Sequence, residues 1–448
     1  MGKTKPQKKP VRIDKKKELA DRMRKKLAVK IGAKTVCLTG IVKNESKNME
    51  RLLNSLLGII DMVCLVDTGS EDNTIEVVNN WGKAHNIPTT IHSEPFKNFA
   101  YNRTHSVKMA KITYPEADYF LLSDADFVWE INTNGIFDKT LLIDHRYLVE
   151  QYNKHIKYWN VRLLSSKVDW ECIGLTHEYW TACKKQTEYT GDIRTSKITT
   201  LRIDDREDGG CKTDKFERDE RLLREGLADE HTSADLKTRY KFYLAQTLKD
   251  MGRHNESITW YQERINDKGW EEEVYYSKYQ LGVNYESIGW NYKHCITLLK
   301  KEEANVTEED KEFLIKHNPN NLNIEELEQG AKNAFVTAAE KYTESHEYRP
   351  VRGEGLYHLA KMYRLLGENK KALEIALKGK GKPYPKEDSL FVEVGCYDYL
   401  FDHEISIVAF YVEGKKDLGR QAIGRLLSNP DLPENIRNMA EHNSRHYI

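Results

Sequence analysis

The sequence predicts an α/β domain on a mainly parallel sheet, followed by an all-α domain of helical repeats. From Thr35 onward, short β-branched runs alternate with amphipathic stretches, the sequence form of a parallel sheet covered on both faces. From about Arg239, aromatic, Leu and Ala positions fall at helical spacing and the scheme recurs every 34 to 40 residues or so, as in helix-pair solenoids. At 448 residues the chain also exceeds one ordinary core. The expected organisation is a basic arm over 1–33, an α/β domain over 34–230 and a helical-repeat domain over 231–448, with an insertion near 303–329.

Lys+Arg and Asp+Glu both number 70, so no global charge draws the chain to nucleic acid or to an anionic membrane. The cations of KTKPQKKP and KKKELADRMRKK are expected to form a solvated arm. No apolar segment follows them, and no window approaches the roughly 18 apolar residues of a membrane helix, so a cytoplasmic location is expected. Seven scattered cysteines without a CxxC pair point to free thiols rather than a zinc site or a disulfide frame.

The elements follow in order. TVCLTGIV, Thr35 to Val42, reads as the first strand. Met49, Leu52, Leu53, Leu56, Leu57 and Ile60 then place one apolar stripe on a helix, with Ser46 as its expected cap. MVCLVD is the second strand, and Ser70 and Asp72 of TGSEDNT can cap the helix after it. A third strand spans Thr89 to His92, a helix runs from about Phe99 to Ile112, and DYFLLSDAD is the fourth strand. Ligands of such sheets bind outside the carboxyl ends of the strands. Asp67 and the pair Asp124 and Asp126 occupy two of those ends, so they should face one crevice.

Asp124 and Asp126 stand at i and i+2, on one side of an extended backbone. Hard oxygens so placed suit Mn²⁺ or Mg²⁺ shared with a substrate diphosphate. Asp67 and Gly69, with Ser70 and Asp72 before a helix N-terminus, offer a carboxylate for a base or ribose and a close backbone approach. Arg103 in FAYNRTHS is a guanidinium able to fork onto two phosphate oxygens. In WECIGLTHEYW, His177 suits a third metal ligand and Glu178 a general base.

VCLTGIVKNES, VDTGSEDNT, FAYNRTHSVKMA, LLSDAD and GLTHEYW, in that order and spacing, resemble a family-2 glycosyltransferase with the GT-A fold. The branch is the one fused to tetratricopeptide-like repeats, distantly similar to bacteriocin S-glycosyltransferases. The match covers roughly Thr35 to Gly226 and extends loosely over the rest. It implies a nucleotide-diphosphate-sugar donor, UDP-linked in the first instance, held by Asp67 and its neighbours. It implies metal-diphosphate binding by Asp124 and Asp126, and an inverting displacement assisted by a carboxylate. The chain departs from many members in having Thr68 after Asp67, where they carry two consecutive acids. DGGCKTDKFERDERLLREGL looks like the family connector, and Lys215 and Arg218 within it are candidate phosphate contacts. The acceptor is expected to be a protein, peptide or glycan held by the repeats; a homodimer is left open.

In the second half, Gly252, Gly289 and Gly367 read as turn glycines, at intervals of 37 and 78 residues, with a degenerate unit around Phe335 to Arg349 filling the longer gap. The Tyr and Trp stripes read as core before groove. The acidic, Asn-rich stretch from Glu302 to Gln329 reads as an insertion or loop, and LFVEVGCYDYLFDHEISIVAFYV as the cap of the array. Two other functions stay in competition. One is a helical-repeat scaffold with an inactive transferase domain. The other is a nucleotidyltransferase, which would need a Gly- and Lys/Arg-rich phosphate loop where GIVKNES stands.

Overall fold

In a computed structural model, described for residues 34–132, 137–153, 157–183, 192–209, 215–302 and 305–447, the chain divides into two compact units, Met1–Thr213 and Asp214–Ile448. The boundary thus falls one helix earlier than residue 230. The basic arm and Cys211 lie outside the described residues.

The first unit alternates β1 (Val36–Val42), α1 (Ser46–Ser55), β2 (Met62–Asp67), α2 (Thr74–His85), β3 (Thr89–Ser93), α3 (Phe99–Thr113) and β4 (Tyr119–Leu122). Then come β5 (Phe127–Ile131), β6 (Arg146–Tyr152), β7 (Lys157–Ser165), the small hairpin β8 (Trp170–Ile173) and β9 (Tyr179–Ala182), and β10 (Thr195–Asp205). The main sheet has the order β3-β2-β1-β4-β7-β6-β10-β5. Its first four strands are parallel, with Thr39 of β1 opposite Cys64 of β2 and Leu122 of β4; β7 then runs antiparallel to both β4 and β6.

Alternation along β1 splits the core in two. Val36 and Leu38 join Leu52, Leu53, Val78 and Trp81 of α1 and α2 on one face, while Cys37 joins Phe120, Val107 and Ala110 of β4 and α3 on the other. Burying both faces is why these strands read as nearly unbroken apolar runs. Helix α1 begins at Ser46 itself, so Ser46 is not its cap; the Ser46 N–H is met at 3.1 Å by the Asp72 carboxylate.

The second unit is helical: α4 (Lys215–Ala228), α5 (Ala234–Asp250), α6 (His254–Asn266), α7 (Glu271–Leu299), α8 (Glu308–His317), α9 (Ile324–Tyr348), α10 (Glu354–Leu365), α11 (Asn369–Gly379), the short α12 (Gly395–Asp398), α13 (Leu400–Val408), α14 (Lys416–Leu427) and α15 (Glu434–Ser444). Gly252 and Gly367 take left-handed φ of 74° and 79° at turns, as expected. Gly289 does not. It lies inside α7, where an added Cβ would come within 2.8 Å of the Phe335 ring, and a Cβ added at Gly282, one heptad earlier, would come within 2.5 Å of the Tyr342 ring. Two glycines on α7 thus receive two aromatics of α9. The stretch read as a loop also holds a helix, α8, opened by a reciprocal capping box between Thr307 and Asp310. The segment expected to cap the array is followed by α14 and α15.

Tyr275, Tyr279 and Tyr342 are buried, so the aromatic stripe is core. Among the described residues, no helix is long and apolar enough to cross a membrane.

Candidate active site

The crevice-forming strand ends are β2 and β4, which flank β1. At β4 the chain turns across β1 through a close backbone approach: a Cβ on Gly40 would lie 2.5 Å from the Ser123 carbonyl oxygen. Only glycine leaves room for that crossing.

Asp67 ends β2 and is 4% exposed. Its Oδ2 accepts the N–H groups of Gly69 (3.1 Å) and Ser70 (3.0 Å), while Oδ1 is buried and has no hydrogen-bond partner among the described residues. Gly69 adopts φ 110° with open space around it. Ser70 Oγ accepts the Asn44 N–H at 2.9 Å. Asp72 is engaged in the scaffold: one oxygen takes the Thr74 N–H at 3.0 Å and its hydroxyl, the other the Ser46 N–H. Burial opposes its charge, but these bonds outweigh it and lower the carboxyl to about 2.

Asp124 lies between two guanidinium groups. Arg103 Nη2, from α3, donates to Oδ1 at 2.7 Å, and Arg162 Nη1, from β7, stands 3.6 Å from Oδ2. Burial alone would raise the Asp124 carboxyl; Arg103 and Arg162 reverse this and hold it below the usual carboxylate range. Arg162 is itself buried, donates from Nη2 to Gln151 Oε1 at 2.6 Å and rests over the Phe127 ring. Gln151 in turn donates to Asp205 Oδ2 at 2.9 Å.

Asp126 sits in the opposite electrostatic environment. Burial, then the charges of Asp124, Asp205 and Glu45, push its carboxyl up to about 6. Among the described residues no cation lies within ion-pair distance of it. Burial also raises the nearby Tyr158 phenol to about 12.

Glu178 lies beyond the turn of the β8–β9 hairpin, where Gly174 takes φ 112° and His177 φ 50°. The hairpin backbone is fastened to α3 by two hydrogen bonds, Phe99 N–H to the Leu175 carbonyl (3.2 Å) and Cys172 N–H to the Thr104 side-chain Oγ1 (2.9 Å). Glu178 Oε1 is 2.6 Å from Arg103 Nε, an ion pair lying off the N–H axis and so without a directed hydrogen bond. Arg103, expected on a diphosphate, thus contacts two carboxylates, through Nη2 and Nε.

The strand ends thus bring together Asp124, Asp126 and Arg103, and Glu178 joins them through Arg103. Among the described residues, no three His, Cys, Asp or Glu side chains gather as a metal-binding group, so His177 does not complete a ligand set with Asp124 and Asp126. Lys215 and Arg218 stand in the first turn of α4, in the second unit, where Arg218 Nε lies 3.7 Å from Asp219. Sequence reasoning missed Arg162, Gln151, Asp205 and Glu45. A signal was present in β6, where Gln151 falls on the buried face with Tyr147 and Val149.

Residues 41–133 match the family model described as Glycosyl transferase family 2. No curated protein matches. Among solved structures, S. aureus TarS residues 1–349 in complex with UDP is similar at 14% identity, over 69% of this chain and 91% of that one, with a TM-score of 0.27. A TPR protein of Thermus thermophilus is similar at 14% identity over 46% of this chain and 98% of that one (TM-score 0.21). The TPR2AB domain of yeast Sti1 in complex with pHSP90 is similar at 12% identity over 53% and 93% (TM-score 0.20). Such low scores leave the family model, which runs from the end of β1 through β5 and includes Asp67, Arg103, Asp124 and Asp126, as the identifying match. The first unit of this chain carries a glycosyltransferase domain of family 2.

Proposed function

We propose that the chain transfers a sugar from a nucleotide-diphosphate sugar, with inversion, to a protein, peptide or glycan acceptor. The observation that carries this reading is Asp67 Oδ1, a buried acceptor without a partner among the described residues at the end of β2, inside the family-2 domain. An unmet buried carboxylate oxygen costs about 1–3 kcal/mol, and the imino N–H of a uracil-like base would satisfy it.

The reaction is a displacement at the anomeric carbon. The acceptor atom forms its bond to C1 as the C1–O bond to the diphosphate breaks. The bonding electrons leave on the nucleoside diphosphate, and Glu178 takes the acceptor's proton. Asp126 fits a divalent cation: its carboxylate is crowded by Asp124, Asp205 and Glu45 and lacks a compensating cation among the described residues. Mg²⁺ or Mn²⁺ commonly takes one or two carboxylates and completes its shell with phosphate and water. Bound there, it would neutralise the leaving diphosphate. Asp124, already paired with Arg103 and Arg162, would orient those guanidinium groups instead.

Acceptor holding falls to the helical unit, which contains a cavity of about 850 Å³ lined by Phe335, Val336, Tyr363 and Leu366 together with lysines and glutamates.

The test is release of nucleoside diphosphate from a panel of UDP-, dTDP- and GDP-hexoses with MnCl₂, slow turnover to water being sufficient. Turnover of at least one donor, abolished by Asp126→Ala, is the expected result. A panel in which no donor binds or turns over would sink the reading.

A further inference from the structure

We infer that Arg103 is a positioning residue that fixes the candidate base Glu178 relative to the donor site, rather than a diphosphate ligand; the inference rests on the proposed transferase reading. Arg103 spans two carboxylates with one planar group. Its Nη2 is anchored by an aligned hydrogen bond on Asp124 at the exit of β4, and its Nε holds Glu178 at 2.6 Å. A guanidinium is rigid, so this sets the separation of the two acids more tightly than a flexible ammonium can. Both Arg103 and Glu178 are mostly shielded, at 15% and 17% side-chain exposure, so water screens the pairing little.

The surroundings give Arg103 this task. Phe99 and Thr104, its neighbours along α3, hold the backbone of the β8–β9 hairpin at Leu175 and Cys172. Those bonds place the hairpin, yet they leave the Glu178 side chain free to turn about its own torsions. Among the described residues, Arg103 is the ion-pair partner that removes this freedom. The contact to Asp124 is a directed hydrogen bond and the contact to Glu178 is not, so Asp124 anchors and Glu178 is the group being placed. A base about 1 Å out of position loses roughly 10²-fold in rate.

The experiment compares Arg103→Ala, Arg103→Lys, Glu178→Gln and the double variant Arg103→Ala/Glu178→Gln on whichever panel donor the native chain turns over, with a thermal melt to confirm folding. Arg103→Ala is expected to lower kcat about 10²-fold while the donor KM stays within about threefold, with Arg103→Lys intermediate. Millimolar guanidinium is expected to restore part of the Arg103→Ala rate. The double variant should be no slower than Glu178→Gln, because the two residues act as a unit. A raised donor KM with kcat retained would assign Arg103 to the diphosphate and overturn the inference. So would fully additive losses in the double variant, or a lowered rate that guanidinium leaves untouched. If the native chain releases no nucleoside diphosphate from any donor, the transferase reading itself falls, which these kinetic outcomes do not touch.

Discussion

Asp124 compensates two guanidinium groups, whereas Asp126 adds to an excess of negative charge. Their replacement should therefore move stability in opposite directions. Asp124→Asn leaves Arg103 and Arg162 poorly paired and should lower stability by about 2 kcal/mol, below the ~3–5 of a fully buried pair because Asp124 is 28% exposed. Asp126→Asn relieves like-charge crowding and should raise stability by about 1 kcal/mol at pH 7 while abolishing turnover. Thermal melts of the two variants check this; equal shifts would refute it. Positions 67, 124 and 126 were legible because a strand end announces itself by an apolar run that stops. Arg162, Gln151 and Asp205 come from later strands, where pairing rather than local pattern decides what meets what.

At the scale of elements, two close approaches carry much of the geometry. Gly40→Ala would drive a Cβ against the Ser123 backbone, which cannot yield as a side-chain tip can. A loss of about 1–3 kcal/mol is expected, together with weakened turnover as the strand exit carrying Asp124 shifts. Gly289→Ala should cost a similar amount by pressing on the Phe335 ring, read as an earlier urea midpoint, while leaving donor binding intact. A midpoint unchanged in either variant would contradict the packing described. The sequence pattern could not separate these roles: a glycine at a turn and a glycine beneath an aromatic look alike until the partner helix is known. The helix at Glu308–His317 was more accessible, since Thr307 and Asp310 have the spacing of a capping box.

For the molecule as a whole, pH should act most clearly through histidines of the helical unit. Burial depresses the imidazoles of His254, His317, His346 and His403, and among the described residues both ring nitrogens of His403 lack a hydrogen-bond partner. Their folded pKa values lie below the unfolded one of about 6.5. Stability is thus fully present above that pH and is lost as the medium acidifies through and below it, because the unfolded chain binds protons that the folded one refuses. The melting temperature is expected to be flat from pH 8 to 7 and to fall toward pH 5, with His403→Phe blunting the fall. A melt independent of pH over that range would count against the burial of these rings. The alternation of strands and helices and the change to helical repeats were both readable from the sequence, because they are periodicities. The eight-strand order was not, since nothing local says that β7 inserts between β4 and β6.

The placement of β1 between β2 and β4 also makes the sheet a ruler. Strands lie about 4.8 Å apart, so the ends bearing Asp67 and Asp124 are separated by roughly 10 Å across one intervening strand. A ligand touching both ends must be long enough to cross that gap: a base and ribose alone fall short, while the pyrophosphate extends the reach. Uridine and UMP should accordingly compete with the donor far more weakly than UDP does, and the step in affinity should fall between the monophosphate and the diphosphate.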